Sequence, residues 1–291
     1  MKIGMIGAGK VGFSLGKFFS QGGIEVSGYC SRNPESAKEA CAFTNSKYYS
    51  TLKDLAEESD AIFITVPDNA ITDVYRKISA FEIHDKYICH CSGAMSAEDA
   101  FPGIQASGAH GISIHPLFPV SSKYASYQEL QDAFFCLEGD EVALQEFTEI
   151  FDSLGVKTQR ISAENKVLYH AGCVMASNFI CALADEGIKL LAECGFSQEG
   201  ARKALAPLMR SNLEHIIKDG PVLALTGPAE RADTGTIIKH LNALEDPQEN
   251  ELYRLLSLKL IGLAEEKHPE ADYSALKELL RTNKKEKGNE A

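Results

Sequence analysis

The hexapeptide Gly7-Ala8-Gly9-Lys10-Val11-Gly12 follows a short apolar run, residues 3–6, at the start of the chain. The run predicts a first strand and the apolar positions beyond it predict a helix, so the glycines lie at a strand-to-helix turn. Gly7 permits a tight turn, Gly9 lets backbone amides approach a pyrophosphate, and Gly12 allows close packing of the helix on the strand. Because the positive end of a helix favours an anion, residues 7–12 are predicted to bind a dinucleotide.

Further strands follow this unit, and helical patterns lie between several of them. Such alternation predicts an α/β fold that begins with a Rossmann-type, doubly wound parallel sheet. After the last strand signal, long amphipathic runs predict an all-helical C-terminal domain, with a polar tail at residues 284–291. We therefore predict a Rossmann domain at residues 1–161 and a helical domain at 162–291. The predicted strands are residues 3–6, 25–29, 61–66, 87–91, 111–115, 133–137 and 157–161.

Composition limits the partners and the location. The formal net charge is -12 and no concentrated basic patch is present, which argues against nucleic acid or an anionic membrane as the main partner. We find no run of about 18 apolar residues that would predict a membrane span. The eight cysteines are scattered through apolar runs, a distribution typical of reduced thiols in a reducing compartment. The glycine turn lies so near the first residue that cleavage of a leader peptide would destroy it. Both observations predict a cytoplasmic location. No metal site is predicted, because Cys89, His90 and Cys91 alternate between two faces of a strand.

The end of the second predicted strand bears on the type of cofactor. An NAD enzyme usually offers an acidic residue to the adenine ribose at this point, whereas this chain has Ser31 and Arg32. A guanidinium and a hydroxyl there could hold a 2′-phosphate, which favours NADP(H). The alternative is an exposed arginine in a polar turn that begins the next helix.

Other strand ends should face the same crevice. Val66 and Pro67 are predicted to pack near the adenosine half, while Ser92, with Gly93 allowing close approach, could bond the nicotinamide amide or a substrate oxygen. Ser92 is equally well explained as a turn hydroxyl that satisfies local backbone groups. His115, held extended by the following proline, is either a crevice residue or a spacer at the strand end.

An apolar helical run, residues 169–178, contains polar side chains that need partners. In a helix, His170 and Ser177 lie on the same face, two turns apart, and Asn178 lies next to that face. The three side chains could therefore line one cleft. His170 could protonate an alkoxide while Asn178 orients a carbonyl. The alternative is that both are satisfied polar residues of a core or form hydrogen bonds between helices.

A polar segment, residues 225–234, interrupts the later helices. Its Arg231 could clamp a substrate carboxylate or form a structural ion pair. Asp233 is well placed to cap the helix that follows.

Together these motifs resemble a known family, the Rossmann-like proteins with a helical C-terminal domain of unknown function, related to ketopantoate and pyrroline-5-carboxylate reductases, whose second domain is similar to that of 6-phosphogluconate dehydrogenase. The resemblance covers nearly the whole chain. One departure is Ala232, where the family usually has glycine. The resemblance rests on residues 7–12, 66–68, 90–93, 113–117, 170–178, 207–208 and 226–228, and on Arg231, Asp233 and His240.

The resemblance implies an NADP-linked oxidoreductase that dimerises through its helical domain. The hypothesis for its activity is reduction of a small 2-oxo acid, as in ketopantoate reductase. NADPH would give hydride, His170 the proton, Asn178 and Ser92 would position the carbonyl, and Arg231 would bind the carboxylate. The alternatives are a cyclic-imine reductase and a non-catalytic NADP(H) sensor.

Overall fold

The computed structural model describes residues 1–282. The chain divides into two compact units, Met1–Asn178 and Phe179–Ala291. The tail predicted at residues 284–291 lies outside the described residues.

The first unit is built on one eight-stranded sheet. Its strand order is β3-β2-β1-β4-β5-β6-β7-β8, and the reversal between β1 and β4 creates the crevice expected of a doubly wound sheet. All neighbours are parallel except β6 and β7, which pair antiparallel. The predicted α/β fold is confirmed, but a fully parallel sheet was wrong, because only short helical turns join these two strands. The strands are β1 Lys2–Ile6, β2 Glu25–Cys30, β3 Lys47–Tyr48, β4 Ala61–Ile64, β5 Tyr87–His90, β6 His110–Pro116, β7 Phe134–Gly139 and β8 Lys157–Arg160.

Helices cover the faces of this sheet and bury two apolar cores. One core packs Phe13, Phe19 and Phe63 together, and the other includes Ile62, Tyr75 and Phe101. Both cores fix the strand ends that carry the polar residues discussed below. The helices are α1 Lys10–Gln21, α2 Pro34–Thr44, α3 Leu52–Glu57, α4 Asp68–Ile78, α5 Ala97–Ala100, α6 Ser126–Glu129, α7 Glu141–Ser153 and α8 Lys166–Ala176.

The second unit is helical where it is described, as predicted. Leu225, Ile237, Ile261 and Tyr273 belong to its small core. Its helices are α9 Asn178–Glu193, α10 Gln198–Asp219, α11 Pro221–Ala224, α12 Thr234–Ala243, α13 Pro247–Lys267 and α14 Ser274–Arg281.

The helical run predicted to be continuous is broken at Ser177, whose φ of -124° and ψ of -71° end α8. The break also marks the limit of the first compact unit. The predicted boundary at residue 161 coincides with the end of the sheet, but α8 belongs with the first unit, because the Lys166 side chain is buried against β6.

The helical segment Ala163–Glu193 is long and apolar enough to cross a membrane by length and composition alone. The expectation that no such stretch exists was therefore wrong. A core helix of a soluble protein meets the same length and composition criterion. No residue of α9 is buried, so the apolar side chains of this helix form an exposed surface.

Candidate active site

The turn after β1 has the backbone that its glycines predict. Gly7 has a φ of +104°, a left-handed value that favours glycine. A Cβ on Gly12 would lie 2.5 Å from Thr65 Oγ1 and 2.6 Å from the carbonyl oxygen of Gly7. A Cβ on Gly9 would meet nothing within 4 Å. Gly7 and Gly12 are thus required by the fold, whereas Gly9 leaves open space above the turn.

That open space lies at the N-terminal end of α1. Gly9 is the N-cap of α1 and has no side chain that could accept from the first-turn amides. The first turn of α1 contains no acidic residue. The backbone N–H groups of Lys10 and Val11 therefore lack an acceptor, as is usual for the first residues of a helix. Such donors and the helix dipole form a site for an anion such as a pyrophosphate.

A cavity of about 510 Å³ extends from this turn across the ends of β1, β2 and β4. Its lining includes the predicted cofactor residues Gly7, Ala8 and Gly9, Ser31 and Arg32, and Val66 and Pro67. Size and lining fit a dinucleotide pocket. Gly12 lies behind the turn, outside this lining, where it serves the packing of α1.

The basic end of the cavity fits a 2′-phosphate. Arg32 is exposed and forms no ion pair with any residue in the described part of the chain. Asn33, rather than Ser31, caps α2 by accepting from the amides of Glu35 and Ser36. Lys77, which the sequence interpretation missed, also lines the cavity. Two cations and the hydroxyls of Ser31 and Ser36 in one lining are groups that recognise a phosphate. Asp73, which also lines the cavity, is paired with Arg76.

Two histidines and a glycine meet at the other end of the crevice. A Cβ on Gly93 would lie 2.3 Å from His170 Cδ2 and 2.9 Å from His115 Nε2, and the two imidazole rings lie 6.0 Å apart. Gly93 is therefore needed for their close approach. The spacer interpretation of His115 is wrong, because its ring faces this crevice.

His115 is held by the helix above it. Its Nδ1 lies 2.7 Å from the hydroxyl oxygen of Tyr169, and the two share a hydrogen bond. Burial, and next the charge of Lys166, lower the pKa of His115 to about 4. His115 is consequently neutral at pH 7 and cannot be the acid of a reaction at that pH.

Ser92 is occupied by local bonds. Its hydroxyl donates to Asp68 Oδ2 at 2.6 Å and accepts from the amides of Ala94 and Met95. Since a hydroxyl has one proton to donate, Ser92 does not offer it to a ligand in this arrangement. The structure thus agrees with the alternative in which the Ser92 hydroxyl satisfies groups of its own turn.

Lys166 is a functional candidate that the sequence interpretation missed. It is only 1% exposed, yet its sole hydrogen bond among the described residues joins Nζ to Ser113 Oγ at 2.6 Å. It forms no ion pair in residues 1–282, and burial lowers its pKa. A buried ammonium with unused donors is costly, and it is characteristic of a site that stabilises negative charge.

A second cavity, of about 420 Å³, is lined by His170 and Asn178, two of the predicted catalytic residues, together with His115 and Ser177. Ser92, the third predicted catalytic residue of the first unit, does not line it. The imidazole of His170 forms no hydrogen bond with the described residues, so its nitrogens are available. The core alternative for His170 and Asn178 does not hold, because His170 is half-buried and Asn178 is exposed.

Arg231 belongs to the second unit and is exposed. Its loop is fixed, since Glu230 accepts from Lys267 and His268 and Asp233 caps α12 as predicted. Arg231 itself has no ion pair among the described residues. The structural ion-pair alternative is therefore not seen, and carboxylate binding stays a prediction. Ala232 adopts a φ of +53°, the conformation that glycine favours.

Comparison with known proteins agrees with this architecture. Residues 2–91 match the family model described as NADP oxidoreductase, coenzyme F420-dependent, and residues 133–260 match a domain of unknown function, DUF2520. None of the curated proteins is significantly similar to the chain.

Solved structures share the fold. A protein of Thermotoga maritima is 27% identical, with a TM-score of 0.74, over 91% of this chain and 99% of its own. A pyrroline-5-carboxylate reductase of Streptococcus pyogenes is 16% identical, with a TM-score of 0.61, over 91% of this chain and 98% of its own. An imine reductase of Myxococcus stipitatus in complex with NADP+ is 16% identical, with a TM-score of 0.61, over 91% and 93% of the two chains.

The fold, the cofactor cavity and the family matches define an oxidoreductase that binds NADP. The N-terminal part of the chain thus matches the NADP oxidoreductase family, and the DUF2520 match begins at the last strands of the sheet and runs into the helical unit.

Proposed function

We propose that the protein reduces the carbonyl group of a small 2-oxo acid with NADPH. The observation that carries the proposal is the His170 imidazole, which faces a cavity without any hydrogen bond to the described residues, one helical turn after the buried ammonium of Lys166. Reduction of a carbonyl needs a proton donor and positive charge where the oxygen becomes an alkoxide. The two side chains supply these functions.

Each residue has a defined task in this proposal. NADPH, when bound in the crevice, supplies the hydride. His170 gives a proton to the carbonyl oxygen, and Asn178 donates a hydrogen bond that orients it. The Lys166 charge stabilises the developing alkoxide, and neutral His115 holds Tyr169 and the helix in place. Arg231 is proposed to bind the substrate carboxylate through its forked donors.

The test is NADPH oxidation with a panel of 2-oxo acids, ketopantoate included, and NADH as the cofactor control. The proposal expects turnover with NADPH preference, and loss of turnover but not of NADPH binding in His170→Ala. Full turnover in His170→Ala would remove the proposed acid. Tight NADPH binding without turnover of any compound would favour a sensor.

A cyclic imine is the second candidate, because the fold is shared with imine and pyrroline-5-carboxylate reductases. An imine nitrogen can arrive already protonated and then needs less from a general acid. The pH dependence of kcat/KM separates the candidates: with a carbonyl substrate, the pH profile of His170→Ala should differ from that of the wild-type protein, because the proton donor is gone. An imine substrate should give the same profile in both proteins.

We propose further that the protein is a homodimer in which a second copy covers the exposed apolar side chains of α9 and α10. Phe179 is 52% exposed, Leu208 60% and Ile217 84%, which is unusual for a monomer in water. Sedimentation of the purified protein without detergent should give twice the chain mass of 31.7 kDa. A monomeric species, or one that requires detergent, would contradict the dimer, and the latter would favour a membrane.

A further inference from the structure

The cavity beside His170 is lined by a few polar side chains and by more apolar ones. The polar groups are the imidazoles of His115 and His170 and the side chains of Ser177 and Asn178. Among the apolar groups are Pro116, Phe118 and Val174. All lining residues belong to the first unit.

No acidic side chain, lysine or arginine lines this cavity within residues 1–282. The buried ammonium of Lys166 lies one helical turn before His170. Uncharged polar side chains among apolar groups give the cavity an amphiphilic character. A ligand that fits places an oxygen at the histidines and hydrocarbon against the apolar groups.

We propose that this cavity selects 2-oxo acids that bear a branched or aromatic apolar side chain over short or dicarboxylic ones. The inference rests on the proposed reductase function and defines its substrate class. The volume of about 420 Å³ is within the range of pockets for small molecules, so it accommodates a side chain of isobutyl or benzyl size.

The expected preference follows from transfer free energies. Each methylene buried against the apolar groups should raise kcat/KM by about 4-fold, the factor that corresponds to burial of one CH₂. A second carboxylate would lose its hydration without gaining a cation, because no cation lines the cavity within residues 1–282.

Cys173 is a specificity-determining residue in this account. It is half-buried, lines the cavity and follows Tyr169 by one helical turn. Cys173→Phe should fill the cavity and lower kcat/KM for 4-methyl-2-oxopentanoate and phenylpyruvate by at least 10-fold, with a much smaller effect on pyruvate. Cys173→Leu, which adds less volume, should show the same order with smaller changes. Cys194→Phe is the matched control, because Cys194 is exposed and outside the cavity.

The decisive experiment measures kcat/KM for pyruvate, 4-methyl-2-oxopentanoate, phenylpyruvate and 2-oxoglutarate with NADPH. We expect the two apolar compounds to exceed pyruvate by at least 10-fold and 2-oxoglutarate to be the poorest. A preference for pyruvate or 2-oxoglutarate would overturn the inference and leave the reductase function standing.

A binding measurement separates the two proposals. Calorimetry of the NADP+-loaded protein with 2-hydroxy-4-methylpentanoate and with 2-hydroxyglutarate reports on the cavity without turnover. Binding of the apolar acid, weakened in Cys173→Phe and unchanged in Cys194→Phe, supports the inference even where no substrate is reduced. Equal or reversed affinities overturn it.

Discussion

Lys166 Nζ donates a hydrogen bond to Ser113 Oγ at 2.6 Å across 53 residues of sequence. Ser113 in turn donates to the carbonyl oxygen of Ser92, in the turn that leads to Gly93. The bond therefore ties the start of α8 to the sheet directly below the two histidines. It fixes a positive charge in a buried position without neutralising it.

Lys166→Met should remove this charge while keeping most of the side-chain volume. We expect kcat to fall by about 100-fold, the usual cost of removing one group that stabilises an oxyanion, with unchanged affinity for NADPH. Burial lowers the pKa of Lys166, so wild-type activity should decrease as pH rises through a value below the ordinary 10.5. That basic limb should be absent from the variant. The exposed Lys53→Met is the control, and wild-type kcat in Lys166→Met would refute the role.

Gly9 and Gly12 should differ when each is replaced by alanine. Gly9→Ala adds a methyl group to open space, so the protein should keep its thermal stability and lose NADPH affinity by at least 10-fold. Gly12→Ala places a methyl group against Thr65 and Gly7, so its melting temperature should fall. Thermal denaturation and fluorescence titration with NADPH measure both effects. Unchanged NADPH binding in Gly9→Ala would contradict the pyrophosphate site.

Arg32→Gln should change the choice of cofactor. Loss of a charged partner of the 2′-phosphate should raise KM for NADPH by about 10- to 100-fold, the equivalent of about 1.4 to 2.8 kcal/mol. KM for NADH should change little, because NADH lacks that phosphate. Lys38→Gln, which removes a lysine paired with Glu35 outside the cavity, is the control. Equal effects on both cofactors would assign Arg32 a structural role.

His90 should make stability depend on pH. Burial lowers its pKa to about 3, below the 6.5 expected when the chain is unfolded. Between pH 6.5 and pH 3 the unfolded chain binds a proton that the folded protein does not, so stability falls as pH falls, by about 1.4 kcal/mol per pH unit. Above pH 6.5 this contribution is constant.

The measurement is the free energy of unfolding in urea at several pH values. His90→Gln, which retains an acceptor for the Ser92 amide, should show a slope smaller by about 1.4 kcal/mol per unit between pH 5.5 and pH 3.5. The exposed His84→Gln should keep the wild-type slope. Equal slopes in all three proteins would contradict a neutral buried His90.

The cofactor turn could be predicted from sequence because its determinants are local. Glycine spacing after an apolar strand specifies the backbone of residues 7–12, and the structure has that backbone. The direction of β7 could not be predicted in the same way. The apolar pattern of a strand specifies burial but not the neighbour with which it pairs.

Lys166 was missed because a lysine at the start of an amphipathic run normally lies in solvent. Its burial depends on Ser113, which is distant in sequence. A signal was present, since Lys166 is the single charged residue from position 166 to 184 and precedes His170 by one helical turn. For Ser92 the sequence left two roles open, and the bond to Asp68 that decides between them also depends on tertiary contacts.

The transfer of deuterium from cofactor to product tests the central claim most directly. The protein is incubated with NADPH labelled with deuterium at C4 of the nicotinamide, in each of its two stereochemical forms, and with 4-methyl-2-oxopentanoate. The account predicts that one of the two forms delivers its deuterium to C2 of the 2-hydroxy acid, and that His170→Ala slows this transfer. NADPH that stays bound and unoxidised with every 2-oxo acid and cyclic imine tested would contradict the account.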